Sequence, residues 1–199
     1  MKQLTVPHLA DLRIRPFGAG DEARLRRMSG ALSRGSLYTR FFSGTPRVPE
    51  TYVATLGRLD HWNRDALVAL RDDTMVGIAE YARVASRPDE AEVAVLVADE
   101  WQRHGLGGLL TRLLLPLAVR RGVTAFRADV VSANTGAVAL IRHTWPSARS
   151  VRSGETSTFH LPAATPAPAP APSAPAPFAL ASSAPGLPVP VPTGTSTGG

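Results

Sequence analysis

The sequence has no cysteine among its 199 residues. That excludes a disulfide framework, a thiol nucleophile and a thiolate metal site. His8, His61, His104 and His160 show no ligand spacing and no carboxylate cluster accompanies them, so no metal is expected. Long apolar runs are also missing. The most apolar stretch, Leu113–Val119, is far too short to span a bilayer and is flanked by Arg112 and Arg120. No basic segment followed by an apolar one opens the chain, so it reads as cytoplasmic with no membrane partner. Charge is absent from residues 162–199, which hold eleven of the eighteen prolines. Alternating Ala-Pro from Ala167 to Pro172 cannot pack a core, because proline fixes φ and removes a donor. Residues 162–199 read as an extended, disordered Pro/Ala-rich tail, either simply solvated or used for docking.

The net charge of +6 therefore belongs to residues 1–161 and points to an anionic partner: nucleic acid, an acidic protein or a polyphosphate cofactor. Nucleic acid is not favoured, because neither a helix-turn-helix nor an aromatic platform is visible. Residues 1–11 read as a flexible N-terminus. Leu12–Phe17 alternates apolar and basic residues and reads as a half-buried strand. Asp21 or Gly20 can cap a helix to about Leu32, with Leu25, Met28 and Leu32 on one face. Ser36–Ser43 is dense in aromatics and reads either as an anchored loop or as the wall of a substrate groove. Pro49 suits the start of a helix to about Leu59. Ala66–Arg71 and Met75–Val84 form a hairpin about Asp72-Asp73-Thr74. Glu92–Val97, nearly all apolar, reads as a third strand buried on both faces. A helix follows from Gly107 to about Arg121, with Leu109, Leu110, Leu113, Leu114 and Leu117 on one broad face and Pro116 expected to kink it. Phe126–Val130 is a strand and Asn134–Thr144 a helix. Arg149–Val151 and Thr156–Leu161 form a last hairpin.

The stretch Glu92–Leu109, EVAVLVADEWQRHGLGGL, organises the rest. A strand leads into a loop with glycines at 105, 107 and 108 that opens a helix. Such a loop lets backbone N–H groups approach an anion at a helix N-terminus. It is not a P-loop, since no Gly-Lys-Ser/Thr follows, and the spacing does not fit the dinucleotide fingerprint.

Val95–Leu110 resembles the cofactor motif of the GNAT superfamily of N-acetyltransferases, Gln/Arg-x-x-Gly-x-Gly/Ala, matched by Gln102, Gly105 and Gly107. The order of elements over about Leu12–Leu161 is similar too. The resemblance implies an α/β fold over residues 12–161: a mixed, mostly antiparallel sheet of six or seven strands flanked by about four helices. It implies acetyl-CoA as co-substrate. Val95, Leu96 and Val97 would face the pantetheine arm. Gln102, Arg103, His104, Gly105, Leu106, Gly107 and Gly108 would cradle the pyrophosphate. Asn134 would hydrogen-bond the pantetheine, or serve as a plain helix cap.

A closer likeness lies in Ser36–Phe42, in Asp60 and Arg64–Leu70, and in Ala91–Val95. This combination is similar to the catalytic domain of bacterial Pat-type protein lysine acetyltransferases. That likeness implies Glu92 as general base and a protein lysine as acceptor. Some members carry an added ligand-sensing domain, which is not visible here. A small-amine acceptor, or a non-catalytic acyl-CoA-binding module, are the alternatives. Oligomeric state is not legible.

The residues themselves support part of this. A lysine amine is mostly protonated near neutral pH, so a base must remove its proton. Glu92 stands in an apolar strand, where burial would raise its pKa, unless an arginine at the start of its own strand pairs with it. Glu80 on the neighbouring strand is the runner-up. The N–H of Leu96 or Val97 at a splay in the sheet would polarise the thioester carbonyl. The sequence departs from the family in having no Tyr between Asn134 and Trp145 and Trp145-Pro146 after that helix. Water or His143 is then left to protonate the leaving thiolate.

Overall fold

The protein is described by a computed structural model covering residues 8–163. Nearly all of the expected tail, and residues 1–7 of the expected flexible N-terminus, lie outside the described residues. Leu9–Asp11 is a 3-10 turn, and Leu9 packs on the core, where the sequence reading began the domain only at residue 12.

Among the described residues one sheet has seven strands: β1 Arg13–Pro16, β2 Arg64–Arg71, β3 Thr74–Val84, β4 Arg87–Val97, β5 Ala125–Val131, β6 Arg149–Ser153 and β7 Thr156–Pro162. Their order is β1-β2-β3-β4-β5-β7-β6. Every pairing is antiparallel except β4 with β5. Five α-helices flank it: α1 Asp21–Met28, α2 Arg34–Phe41, α3 Glu50–Leu56, α4 Leu106–Arg120 and α5 Thr135–Thr144. The expected mixed, mostly antiparallel sheet is found, at the upper of the two expected strand counts and with one helix more.

The extra helix is α2. Ser36–Ser43, read either as an anchored loop or as the wall of a groove, is mostly helical. Ser33 caps it, its side chain accepting from Ser36 N at 3.2 Å, and Leu37 and Phe41 stand four apart toward the core. Phe42, at φ 54°, ends it.

α4 lies against β3 at Gly77, where an added Cβ would come within 3.1 Å of the Leu106 and Leu110 side chains. The absent side chain is what lets helix and sheet approach. Leu114 and Leu115 are buried on α4, whereas Leu113 is 44% exposed, so the buried face is rotated from the expected one. The helix runs unbroken across Pro116. At its far end Arg121 donates to Asp65 and to the Tyr81 hydroxyl, each at 2.7 Å, fixing α4 to β2 and β3. Glu80 and Gly77 are three residues apart on β3, so their side positions lie on opposite faces of the sheet. α4 covers one face; α2, whose Arg40 reaches Glu80, covers the other.

The start of α1 is held by one carboxylate. Asp21 is fully buried. It accepts from Arg15 at 2.5 and 2.8 Å, from Gly18 N at 2.9 Å and from Arg24 at 3.2 Å. Burial by itself would push its pKa up, but the hydrogen bonds from Arg15 and Gly18 outweigh that and hold it below the usual carboxylate range. A depressed folded pKa contributes stability that is present above the unfolded value and lost as pH falls through the folded one. Asp21→Asn should therefore cost about 3 kcal/mol at pH 7. The gap from wild type should narrow below about pH 4. Urea unfolding at pH 7 and pH 3 checks this; a gap that stays constant would show the charge to be irrelevant.

Candidate active site

The parallel pairing of β4 and β5 covers only Glu90 with Ala125, Ala91 with Phe126 and Glu92 with Arg127. Beyond Glu92 the two strands part. β4 keeps its register with β3 through Val97, so Val93–Val97 is bonded on one edge and open on the other. The expected splay is thus present. It also explains a correction. Glu92–Val97 is not buried on both faces: Val93, Ala94, Val95 and Val97 are only partly covered, because the apolar side chains line an open cleft.

That cleft, of about 410 Å³, runs from the splay to the glycine loop. Val95, Leu96, Val97, Gln102, Arg103, Gly105, Gly107, Gly108 and Asn134 all line it, which brings nine of the eleven expected cofactor-side residues together. The other two do not line it. Leu106 is buried in the core beside Gly77. The exposed His104 turns its Nδ1 to Gln102 O at 2.7 Å.

The loop is shaped for an anion by its backbone. Arg103 and Gly105 both have positive φ, 63° and 85°. An arginine in that conformation costs roughly 1 kcal/mol, which an ordinary helix start would not require. The first bond within α4 is Leu109 N to Gly105 O at 3.0 Å. The N–H groups of Leu106, Gly107 and Gly108 therefore lie ahead of any intrahelical partner, at the positive end of the helix.

Gln102 braces this loop. Its Nε2 reaches Val97 O at 3.0 Å, Ser36 Oγ at 2.9 Å and Asp99 Oδ1 at 3.1 Å. Asp99 in turn accepts from Ser36 Oγ at 2.7 Å and from Ser33 N at 3.0 Å. The network joins the end of β4, the glycine loop and the start of α2. Sequence reasoning missed Ser33, Ser36 and Asp99; the signal available was the Ser-x-x-Ser spacing before a 3-4 apolar repeat. Asn134 caps α5, its Oδ1 accepting from Ala137 N at 3.1 Å, which leaves Nδ2 as the group able to face the cleft.

A smaller cavity, about 110 Å³, adjoins the first, the two sharing Thr39, Arg40, Val95, Asn134, Ala137 and Leu140. Glu92, Asp129, Phe42 and Trp145 are among its other lining residues. Glu92 was expected to be isolated and buried. Its side chain is 48% exposed and faces Arg127 NH2 at 3.4 Å, on the last rung before the strands part. Glu80, the alternative base, is buried and ion-paired to Arg40 at 2.6 Å. Asp129, which the sequence reading passed over, accepts from Thr158 Oγ1 at 2.6 Å. His143 is exposed on α5 and lines neither cavity. Among the described residues no three His, Asp or Glu side chains could hold a metal, and no helix is long and apolar enough to cross a membrane.

The profile of the acetyltransferase (GNAT) family matches residues 35–144. A Pseudomonas aeruginosa protein named an acetyltransferase is 32% identical over 113 residues, 55% of this chain and 60% of that protein. The chain thus spans about 60% of that relative's length. Among solved structures, the GNAT domain of S. lividans PAT is 27% identical with a TM-score of 0.70, over 76% of this chain and 90% of that one. The yncA protein of Salmonella typhimurium, solved with its cofactor acetyl-CoA, shares the fold at 18% identity and a TM-score of 0.61, over 80% of this chain and 99% of that one.

Gly107 offers a two-sided test. A Cβ there would sit 3.7 Å from Leu140 and from Val95, both cleft residues. Gly107→Ala should raise the melting temperature, since glycine in a helix costs about 0.5–1 kcal/mol relative to alanine. The added methyl meets only ordinary van der Waals contacts and fits the Gly/Ala position of the motif, so binding of a pyrophosphate-bearing ligand should stay near that of wild type. Scanning calorimetry and titration with coenzyme A read the two effects; a more stable variant that has lost coenzyme A binding would show that the ligand leaves no room for a Cβ at this position.

Proposed function

The chain belongs to the acetyltransferase (GNAT) family, and on that footing we propose that it transfers an acetyl group from acetyl-CoA to an amine, with a protein lysine side chain as the acceptor. The observation that carries the proposal is the meeting of two features at one cleft. The open edge of β4 offers unpaired backbone to an extended arm, and the Arg103–Gly108 loop offers N–H groups to a pyrophosphate. The residues present fit acetyl-CoA: Val95, Leu96 and Val97 with Asn134 for the pantetheine, Gln102 to Gly108 for the phosphates. When bound, acetyl-CoA supplies an activated acyl carbon.

Glu92 is assigned the general base. It stands at the last rung before the strands part and lines the smaller cavity. A carboxylate open to solvent there can take the amine's proton directly or through a water. Its contact with Arg127, longer than 3 Å and half exposed, does not lock it. A lysine acceptor is supported by the likeness to the S. lividans PAT domain and by the Ser36–Phe42 segment, which forms the α2 wall of both cavities. The apolar lining of the smaller cavity suits an aliphatic stem ending in an amine.

Lys2 is the single lysine of the chain, so acetyl-lysine formed in a mixture is assigned to the acceptor once Lys2 is accounted for. Incubation with acetyl-CoA and either a lysine-bearing protein or a panel of polyamines, aminoglycosides and amino acids should give transfer to the protein lysines. Glu92→Gln should lower kcat by about 10² or more near pH 7 while coenzyme A still binds. Equal rates for the variant would take the base role from Glu92. Transfer confined to the small amines would replace the lysine reading, and tight acetyl-CoA binding with no turnover on any acceptor would favour a binding module.

A further inference from the structure

The wall shared by the two cavities holds a pair of charges with no part in the chemistry described so far. Arg40 NH2 on α2 donates to Glu80 Oε1 on β3 at 2.6 Å. Their side chains keep only 19% and 7% exposure. Arg64 Nε stands 3.9 Å from the other Glu80 oxygen. Among the described residues Arg40 Nε and Glu80 Oε2 have no hydrogen-bond partner. The guanidinium lies over the rings of Phe41 and Tyr52, at 5.0 and 4.8 Å from their centroids. Burial first, and the adjacent Glu80 second, push the Tyr52 hydroxyl pKa up, so it adds no competing anion.

Stability alone is a poor reason for this pair. Well-packed apolar residues of similar volume often serve as well as a buried ion pair or better. What the pair faces is a better reason. Arg40 lines both cavities, beside Val95 and Asn134, where the two meet. Under the acetyl-CoA reading this junction is where the pantetheine arm ends and the amine arrives. Glu80 balances the charge of Arg40, so the site does not draw in a full anion. A carbonyl oxygen that becomes negative only during the reaction gains most from such a donor.

We infer that Arg40 is a further catalytic residue, donating a charged hydrogen bond to the thioester carbonyl oxygen of the acyl donor. The inference rests on the acetyl-CoA reading above. As the amine lone pair forms the new C–N bond, the C=O π pair moves onto oxygen, beside the Arg40 guanidinium. The amine's proton passes to the Glu92 carboxylate. The C=O then re-forms, the C–S bond breaks, and sulfur leaves with its electron pair and takes a proton from water, and the hydroxide so formed is neutralised by the proton held on Glu92. The products are the amide and free coenzyme A. Arg40 thus adds to the backbone N–H groups of β4 a donor that carries charge.

The test reads the carbonyl itself. Difference infrared spectra are recorded for acetyl-CoA carrying 13C at the thioester carbonyl, bound to wild type, to Arg40→Met and to Arg40→Lys. The wild-type band is expected below its position in water, and Arg40→Met is expected to return it most of the way. With a saturating acceptor, kcat of Arg40→Met should fall on the order of 10²-fold while coenzyme A affinity stays near wild type. The same band in wild type and in a folded, ligand-binding Arg40→Met overturns the inference and leaves the acetyl-CoA reading standing. If Arg40→Met does not fold, Arg40→Lys decides: it keeps the charge and loses the planar fork, so its band must move toward the free value, and a wild-type band overturns the role. Failure of wild type to bind acetyl-CoA would overturn the underlying reading, and this inference with it.

Discussion

The parting of β4 from β5 after Glu92 is the constraint on which the rest of the molecule depends. Two parallel strands that diverge must leave backbone groups unpaired, and unpaired backbone away from water is costly unless something satisfies it. Here the opening is lined rather than filled. α2 closes one side, α5 another, and the first turn of α4 the end. The helices are arranged around a gap in the sheet, and the core lies away from it, where α4 packs on Gly77 and Arg121 holds Asp65 and Tyr81. One sheet therefore does two jobs. Its continuous part with α4 supplies stability, and its split supplies a site that stability alone would have closed.

Much of this was legible because local chemistry and tertiary structure agree. The β2–β3 hairpin turns at Asp72-Asp73, with Asp72 at φ 53°, a conformation that aspartate tolerates. The last hairpin turns at Gly154, φ 58°, and Asn134 caps α5 as its position before the helix suggested. The glycine spacing located the cleft. What failed were inferences from hydrophobicity about burial. Val93–Val97 is apolar because it lines a cleft, and periodicity cannot tell a covered apolar strand from one that waits for a ligand. Glu92 was misplaced for the same reason: its place on the last rung before β5 turns away is a long-range fact absent from its neighbours. α2 was hidden by its aromatics, which read as a loop anchor, although Ser33 carried the cap signal. The Arg40–Glu80 contact joins residues forty apart and no local pattern reports it.

Charge is handled throughout with arginine. The ion pairs of α1, the buried pair of α2 and β3, and the tie at the end of α4 all use it. A planar guanidinium can satisfy two or three acceptors at once and can stack on aromatic rings, as Arg15 does with Asp21 and Arg40 with Phe41 and Tyr52. A lysine ammonium would do neither as well. For an enzyme proposed to modify lysine amines, the choice has a second effect: its own structural cations are not substrates.

α2 gives these parts a common scale. Ser36, Thr39 and Arg40 are spaced three and four apart, so they share one face of the helix, and all three line the larger cleft. Ser36 is fixed to Asp99 and Gln102, at the glycine-loop end. Arg40 is fixed to Glu80, where the two cavities meet. Four residues of helix, about 6 Å, separate the two anchors along the axis. A slip of a single residue would rotate that face by about 100° and remove both contacts together. The cap at Ser33, which sets where the helix begins, therefore sets where the guanidinium stands relative to the glycine loop. The helix that sequence patterning overlooked is the one that ties the two ends of the site into a single register.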